Sequence, residues 1–410
     1  MQPLQQAIAR LHGGDWGGAE QICRGALRAD PRDCEALNLL AIITAQTRRC
    51  AEAAALLDRA IAIRPNDAAM YNNHGNVLKD LGRAEEALAS YRRAIQLQPG
   101  FADAHFNEAT LQQLRGKLPE ALAGYQRAIR CNPNHAAAHN NYGNALCASG
   151  RHEEAIASYR RALRIDPSYA DACCNLGDAL VHLERLDAAG EAYAQALRLR
   201  PADARTAALH GNVMLRLSRF AEALRSYDAA LALDPLLVEA HNNRGTALYG
   251  MKRFAEALLG YERAIALRPN YAQAHNNRGN VLHELRRCEA ALASYEAAVR
   301  SDPGFAEAHY GCAVCLRDLG RMDLALARYA KARELAPRMP WIQGAWLHAR
   351  MHLCDWEGLN ATLAEMTAWV GAGGEILSPM AMLCVSDSAL LQRRAAELWI
   401  KGQQAALARK

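Results

Sequence analysis

Residues 68–101 read AAMYNNHGNVLKDLGRAEEALASYRRAIQLQPGF, and this stretch decides the fold. Two runs of helix-forming residues are separated by Gly82 and closed by Pro99. Gly82 can take the left-handed conformation that ends a helix, and Pro99 lacks the backbone donor that a longer second helix would need. The stretch therefore predicts one helix over 69–81 and a second over 85–96, joined by a tight turn.

The same pattern recurs every 34 residues, and a tyrosine holds one position of it from Tyr91 to Tyr329. In the third period, Gly75, Ala87 and Ala94 are predicted to lie where the two helices cross, because a larger side chain there would overpack the crossing. One helix pair cannot bury its apolar face alone, so neighbouring pairs must stack. The predicted repeats, numbered 1 to 10 below, are 1–33, 34–67, 68–101, 102–135, 136–169, 170–203, 204–237, 238–271, 272–305 and 306–339.

Composition narrows the classes of function. The net charge of +5 is spread along the chain without a basic stripe, so no nucleic-acid partner is expected. No apolar run is long enough for a membrane span, and the first residues lack the apolar core of a secretion signal. We therefore expect a cytoplasmic protein whose 12 cysteines are free thiols. The lone Cys312-x-x-Cys315 motif has no matching pair, which argues against a metal or redox role.

The small-residue, Ala, Tyr, Ala and Pro positions at this spacing resemble the tetratricopeptide repeat (TPR) family over residues 1–339. Repeats 1 and 2 depart from it with Cys23 and Leu57 at the Tyr position, as expected of an N-terminal cap. The resemblance implies an all-α fold: a right-handed superhelical solenoid of helix-turn-helix units whose concave wall is formed by the first helices. Residues 340–410 are then expected to be a C-terminal helical cap or junction segment.

Asparagines recur on the first helices, although Asn is a poor residue for a helix interior. Two series share one face, and Leu209 and Gly311 interrupt the first of them. One interpretation is that their amides bind neighbouring repeats and fix the pitch. The other, which we favour, is that they line a groove and bind the backbone of an extended peptide. The candidate groove residues are Asn73, Asn107, Asn141, Asn175, Asn243 and Asn277 in the first series, and Asn76, Asn144, Asn212 and Asn280 in the second.

Two other patterns were considered as sites. Histidines recur one whole repeat apart, too far for one metal ion, and are interpreted as ordinary polar positions: His105, His139, His241, His275 and His309. His348, His352 and Cys354 are close in sequence but lack a second ligand pair.

Co-chaperone TPR domains hold a C-terminal carboxylate with Lys and Arg on the first helices. The corresponding row here has no Lys: Asn72, Phe106, Asn140, Cys174, Ala208, Asn242, Asn276 and Tyr310.

The C-terminal segment is predicted to contain a helix opened by Pro340, a helix capped by Asp355 and ending near Gly371, a short helix from Ser378–Pro379, and a final helix after Asp387. Together with the Asn series, part of this segment resembles the junction before the catalytic region of protein O-GlcNAc transferase-like glycosyltransferases. The matching residues are Cys354, Asp355, Trp356, Ser378, Pro379, Met380, Asp387 and Gln392. That family's catalytic region would lie beyond Lys410, so no catalytic residue and no cofactor is assigned.

The sequence therefore predicts an adaptor without activity of its own that binds extended protein segments, as the substrate-recognition arm of an O-GlcNAc transferase-like protein that is truncated before, or separated from, its catalytic domain. One alternative is a part of an active glycosyltransferase whose catalytic domain lies outside this chain. Another is a structural scaffold for a multiprotein complex. The expected partners are proteins or peptides, with no membrane and no metal.

Overall fold

A computed structural model describes residues 3–339, 342–371, 382, 386 and 388–408. The chain divides into two compact units, Met1–Leu199 and Arg200–Lys410. Within the described residues every regular element is a helix and none is a strand, which confirms the all-α prediction. No helix among those residues combines the length and apolarity that crossing a membrane requires.

The first compact unit contains the helix pairs of repeats 1 to 6. Within this unit, each first helix packs against the second helix of its own repeat and, in repeats 2 to 6, against the second helix of the preceding repeat. The helices are α1 (Pro3–His12), α2 (Trp16–Ala29), α3 (Cys34–Gln46), α4 (Cys50–Ile63), α5 (Ala68–Asp80), α6 (Ala84–Leu97), α7 (Ala102–Leu114), α8 (Leu118–Cys131), α9 (Ala136–Ala148), α10 (His152–Ile165), α11 (Ala170–His182) and α12 (Leu186–Leu199).

The second compact unit contains repeats 7 to 10 and the C-terminal helices. Its helices are α13 (Ala204–Arg216), α14 (Phe220–Leu233), α15 (Val238–Gly250), α16 (Phe254–Leu267), α17 (Ala272–Glu284), α18 (Cys288–Ser301), α19 (Ala306–Asp318), α20 (Met322–Leu335), α21 (Ile342–His352), α22 (Leu359–Gly371) and α23 (Ala389–Ala408). The consecutive packing of neighbouring pairs seen in the first unit recurs from α13 to α21.

The turn inside each repeat is a left-handed cap. Gly82 has φ 75°, and the next backbone N–H, of Arg83, donates to the Leu78 carbonyl at 2.9 Å. This geometry satisfies carbonyls at the helix end. The same position is left-handed even where the residue is not glycine: Arg48, Glu184, Ser218, Lys252 and Arg286 have φ between 57° and 64°.

The helix crossing is built around the recurring tyrosine. A Cβ atom at Gly75 would lie 2.5 Å from Cε1 of Tyr91, so the ring occupies the space that the missing side chain leaves. Ala87 and Ala94, on the same second helix, are fully buried. The predicted crossing is thus confirmed, and the ring of Tyr91 is the group that requires glycine there. All eight of these tyrosines are buried: Tyr91, Tyr125, Tyr159, Tyr193, Tyr227, Tyr261, Tyr295 and Tyr329.

The repeat register continues past residue 339, where the sequence predicted only a cap. Gln343 stands where earlier repeats have histidine, and its Nε2 donates to the Pro337 carbonyl at 3.1 Å. Cys354 stands at the turn position with φ 55°, and the Asp355 N–H donates to the Arg350 carbonyl at 3.0 Å. Helix α21 and the turn after it therefore keep the register of a first helix and its cap.

The predicted C-terminal helices are found in part. Helix α22 ends at Gly371 as predicted but begins at Leu359, because the Asp355 carboxylate pairs with Arg350 at 2.8 Å and accepts from the Glu357 N–H. Helix α23 covers the predicted final helix. The predictions on Pro340, Ser378, Pro379, Met380 and Asp387 lie outside the described residues.

Candidate functional site

All ten candidate asparagines lie on first helices, and nine of them are half-buried while Asn280 is exposed. We call Asn73, Asn107, Asn141, Asn175, Asn243 and Asn277 the Asn73 row, and Asn76, Asn144, Asn212 and Asn280 the Asn76 row. The two rows lie one helical turn apart on the same helices.

The Asn73 row forms hydrogen bonds between repeats. In five of the six row members, the Nδ2 atom donates to an Asn Oδ1 of the preceding repeat at 2.9–3.0 Å. The donor and acceptor pairs are Asn73–Asn38, Asn107–Asn72, Asn175–Asn140, Asn243–Asn212 and Asn277–Asn242. These bonds fit the interpretation that the amides fix how one repeat sits on the next. Peptide binding by the same row stays a prediction.

Four of the five acceptors belong to a third row, whose positions from repeat 3 onward the sequence indicated only as those of a carboxylate clamp. We call Asn38, Asn72, Asn140, Asn242 and Asn276 the Asn72 row. Its members in repeats 3, 5, 8 and 9 are buried. The available signal was the adjacent Asn–Asn pair in four first helices: one Asn of each pair faces the preceding repeat and the other faces the following one.

The pairing changes where the acceptor is missing. Repeat 7 has Ala208 at the acceptor position, and there Asn243 donates to Asn212 of the Asn76 row instead. In repeat 10 the donor position is Gly311, and the buried Oδ1 of Asn276 has no hydrogen-bond partner. These exceptions show that the acceptor depends on the residue in the preceding repeat, and that a missing donor leaves an acceptor unpaired.

The Asn76 row binds the tyrosines of its own repeats. The hydroxyl groups of Tyr91, Tyr159, Tyr227 and Tyr295 each donate to a row member's Oδ1 at 2.8 Å. Burial raises the pKa of all four tyrosines above its usual range, so the hydroxyls stay protonated and can donate. Other repeats replace the Asn by another acceptor: Thr110, Asp178 and Thr246 accept from Tyr125, Tyr193 and Tyr261.

These contacts leave capacity on the amides. An Asn amide has two N–H hydrogens and two lone pairs on its oxygen. The bonds described above use one hydrogen of Asn73 and one lone pair of Asn76. Between them and repeat 2 lies an open cavity of about 640 Å³, which is also lined by Ile42, Val77 and Asp80. The geometry thus presents ordered, half-buried amides beside an accessible space.

The recurring histidines form hydrogen bonds between successive repeats. The Nε2 atoms of His105, His139, His241, His275 and His309 lie 2.9–3.1 Å from the carbonyl oxygen of the proline six residues earlier. The carbonyl can only accept, so Nε2 carries the proton. Burial lowers the pKa of His139 and His309, which favours this neutral form. These polar positions at helix starts therefore form a specific hydrogen bond to the proline that closes the preceding repeat.

The other candidate ligands differ in accessibility. Cys312 and Cys315 are fully buried, and burial raises the pKa of both thiols to about 12. This burial disfavours the thiolate that a metal or redox site needs. The rings of His348 and His352 lie 6.3 Å apart. Among the described residues, three potential ligand atoms come within 4.8 Å of one another at one place only, formed by His283, Cys288 and Asp318.

Comparisons with known sequences match most of residues 10–340. A family model described as "TPR repeat" matches residues 75–113, 143–183, 211–252 and 247–286. Four models described as "Tetratricopeptide repeat" match residues 10–73, 125–157, 170–203 and 276–340. Together these matches cover more than half of the chain. None of the curated proteins compared with the sequence matches it.

Solved structures with similar folds span about half of this chain. "YrrB: a TPR protein with an unusual peptide-binding site" is 26% identical, with 45% of this chain and 95% of that one covered and a TM-score of 0.43. MamA is 26% identical over 40% of this chain and 95% of its own, with a TM-score of 0.38. The pilF protein of Pseudomonas aeruginosa is 22% identical over 53% and 97%, with a TM-score of 0.44.

Proposed function

The chain belongs to the tetratricopeptide repeat family, and from this premise we propose that it binds extended polypeptide segments along the first helices of its repeats. The fold is a scaffold for protein interactions, and the proposal adds where and how the partner is held. The Asn73 and Asn76 rows are the proposed contacts, and the backbone of the partner is the proposed ligand.

The observation that carries this proposal is the pairing of the amides before any partner arrives. Asn73 and Asn107 are held by Asn38 and Asn72, so their side chains are already ordered. Ordering a polar side chain on binding costs about 0.5–1.5 kcal/mol, and the existing hydrogen bonds remove much of that cost. Each amide keeps hydrogen-bonding capacity that a peptide N–H or C=O can use.

The spacing of the repeats suits an extended chain. Stacked helices lie about 8–10 Å apart, and an extended peptide rises about 3.3 Å per residue. One amide would therefore meet the peptide at about every third residue. Because backbone groups carry little sequence information, this mode of binding predicts tolerance of many partner sequences.

The test uses substitutions that the chain itself contains. Thr110 and Thr246 replace Asn in the Asn76 row and still accept from the tyrosine hydroxyl. The triple variant Asn76→Thr, Asn144→Thr and Asn280→Thr should therefore keep the fold while losing amide donors. An array of labelled extended peptides of mixed sequence would be screened first, and affinities for the binders measured by fluorescence anisotropy.

We expect the triple variant to lose about fivefold or more in peptide affinity, since each lost hydrogen bond is worth about 0.5–1.5 kcal/mol. Its denaturation midpoint should stay close to that of the parent chain. The control is Asn140→Ala, which removes a buried acceptor and should lower stability more than affinity. Unchanged affinity in the triple variant, or no binding peptide in the array, would contradict the proposal.

We further propose that the scaffold is the substrate-recognition arm of an O-GlcNAc transferase-like protein. The Asn rows and the Cys354–Asp355–Trp356 segment support this reading, and Trp356 is exposed and available to a following segment. The reading frame downstream of Lys410 tests it. A frame that encodes intact sugar-nucleotide-binding halves would support the active-transferase alternative, and an interrupted one would support a truncated recognition arm. An immediate stop codon would contradict the active-transferase alternative and leave a separated arm or the general scaffold.

A further inference from the structure

Three chemically different ligand atoms meet at the junction of repeats 9 and 10. His283 lies one residue before the end of α17, Cys288 is the first residue of α18, and Asp318 is the last residue of α19. Their ligand atoms lie within 4.8 Å of one another, and His283 Nε2 is 2.9 Å from Asp318 Oδ2. The two turns of consecutive repeats therefore bring a nitrogen, a sulfur and an oxygen together.

We propose that His283, Cys288 and Asp318 bind a zinc ion that joins repeats 9 and 10. Imidazole, thiolate and carboxylate are the three side-chain donors that Zn²⁺ takes in proteins, at about 2.0–2.3 Å. Tetrahedral bonds of that length place neighbouring ligand atoms about 3–4 Å apart, so only a small closure of the observed cluster is needed. All-oxygen sites favour Mg²⁺, Ca²⁺ or Mn²⁺, whereas nitrogen and sulfur ligands suit Zn²⁺.

The surroundings are arranged for three protein ligands and one open position. The side chains of His283 and Asp318 are 26% and 22% exposed, so an ion can enter and water can supply the fourth ligand, as in open zinc sites. Arg317 donates to the other carboxylate oxygen, Oδ1 of Asp318, at 2.8 Å and 3.1 Å. These bonds leave Oδ2 for the metal and fix the plane of the carboxylate. Hydrogen bonds to a metal-binding side chain commonly orient it in this way.

Zinc binding at this site can be written with charges and protons in balance. In the metal-free protein, the Nε2–H of His283 donates to Oδ2 of Asp318. On binding, the imidazole moves its proton to Nδ1 and coordinates through Nε2, while the thiol of Cys288 gives one proton to solvent. The dipositive ion then meets one thiolate and one carboxylate, so the site is neutral, and Arg317 remains paired with Oδ1. Binding should therefore weaken as the pH falls.

The repeat register supplies matched controls. At the junction of repeats 2 and 3, the same three positions hold Ala45, Cys50 and Asp80, so the histidine is missing. At the junction of repeats 5 and 6 they hold Cys147, His152 and His182, but there the two imidazole rings stack with centroids 4.8 Å apart. In the part of the chain that the structure describes, only the junction of repeats 9 and 10 gathers all three atoms.

The experiment uses the full chain, stripped of metal by a chelator and kept reduced. Titration with Co²⁺ reports thiolate coordination through a near-ultraviolet charge-transfer band, and Zn²⁺ binding is measured by calorimetry and by displacement of Co²⁺. We expect one ion per chain and a rise of the denaturation midpoint with Zn²⁺ concentration. Cys288→Ser should abolish the band, and His283→Gln and Asp318→Asn should each weaken binding about tenfold or more.

The control Cys50→Ser should leave both the band and the affinity unchanged, because its junction has no histidine. Circular dichroism of each variant separates loss of the site from loss of the fold. A band that persists in Cys288→Ser, or that disappears in Cys147→Ser instead, would overturn the assignment. So would the absence of saturable Co²⁺ binding by the folded parent chain.

Discussion

The side-chain amide of Asn107 donates a hydrogen bond to the buried Oδ1 of Asn72, 2.9 Å away and one repeat earlier. The two adjacent asparagines of a first helix therefore bind different repeats. Asn72 accepts a hydrogen bond from the following repeat, and Asn73 donates one to Asn38 of the preceding repeat. Stability and partner binding can therefore be separated by choosing which row is changed.

Asn72→Ala should destabilise the chain by about 1–3 kcal/mol, because it leaves the Asn107 amide at the junction without its acceptor. The denaturant midpoint measures this. Asn76→Thr is the matched change on the same helix and should shift the midpoint little, since a hydroxyl can still accept from Tyr91 as Thr110 does from Tyr125. Equal midpoints for the two variants would show that the inter-repeat bond contributes nothing.

Gly75→Ala should destabilise repeat 3 by about 1–3 kcal/mol through overpacking. The new Cβ atom would lie 2.5 Å from Cε1 of the fully buried Tyr91 ring. Gly100→Ala is the control, because nothing lies within 4 Å of a Cβ atom there. Thermal melts of both variants, followed by circular dichroism, should show a loss only for Gly75→Ala.

Replacing left-handed residues by glycine should stabilise the chain. Lys252 and Arg286 have φ of 59° and 58°, a region that costs an L-residue about 1–2 kcal/mol. Glycine avoids this strain but loses about 0.5–1 kcal/mol in chain entropy, so each change should gain about 0.5–1 kcal/mol net. The reverse change, Gly116→Lys, should lose a similar amount. Lower midpoints for Lys252→Gly and Arg286→Gly would contradict this account of the turn.

Acidification should weaken the repeat junctions that use buried histidines. Burial lowers the pKa of His139 and His309, so the unfolded chain takes up protons at a higher pH than the folded chain does. Their contribution to stability is complete above the unfolded pKa of about 6.5 and is lost as the pH falls towards the lower folded pKa.

The matched variant for this effect comes from the chain itself. Gln343 donates to the Pro337 carbonyl as the histidines do to theirs, so His139→Gln and His309→Gln together should keep stability at about pH 7.5. Because glutamine does not titrate, the double variant should also lose less stability than the parent between about pH 7.5 and about pH 5.5. Urea midpoints at both pH values test this. An unchanged pH dependence in the double variant would show that His139 and His309 do not cause the loss of stability at low pH.

The purified chain should not transfer or hydrolyse a nucleotide sugar. No glycine-rich phosphate loop follows a strand in the sequence, and the proposed contacts are Asn amides, which bind a peptide backbone but do not act as general acids or bases. Incubation with UDP-GlcNAc and an acceptor peptide, followed by product analysis, measures this. Turnover by the chain alone would move the function from a scaffold to an enzyme.

The sequence by itself determined the period, the helix pairs and the turns. A glycine or its substitute at one position, a proline at another and a tyrosine between them act within one repeat, so local rules for helix ends and crossings are sufficient. These rules placed Gly82 and Gly75 correctly. They did not predict that the register continues through Gln343 and Cys354, because these residues keep the geometry of the repeat without its histidine and glycine.

Only the tertiary structure decided what the side chains between repeats do. Which Asn donates and which accepts depends on the rotation of one helix pair against the next and on the residue one repeat away, as Ala208 and Gly311 show. The meeting of His283, Cys288 and Asp318 likewise joins the two helix ends that flank one turn to a helix end of the next repeat. A periodic pattern fixes which residues share a face, but contacts across a junction depend on distances that only packing sets.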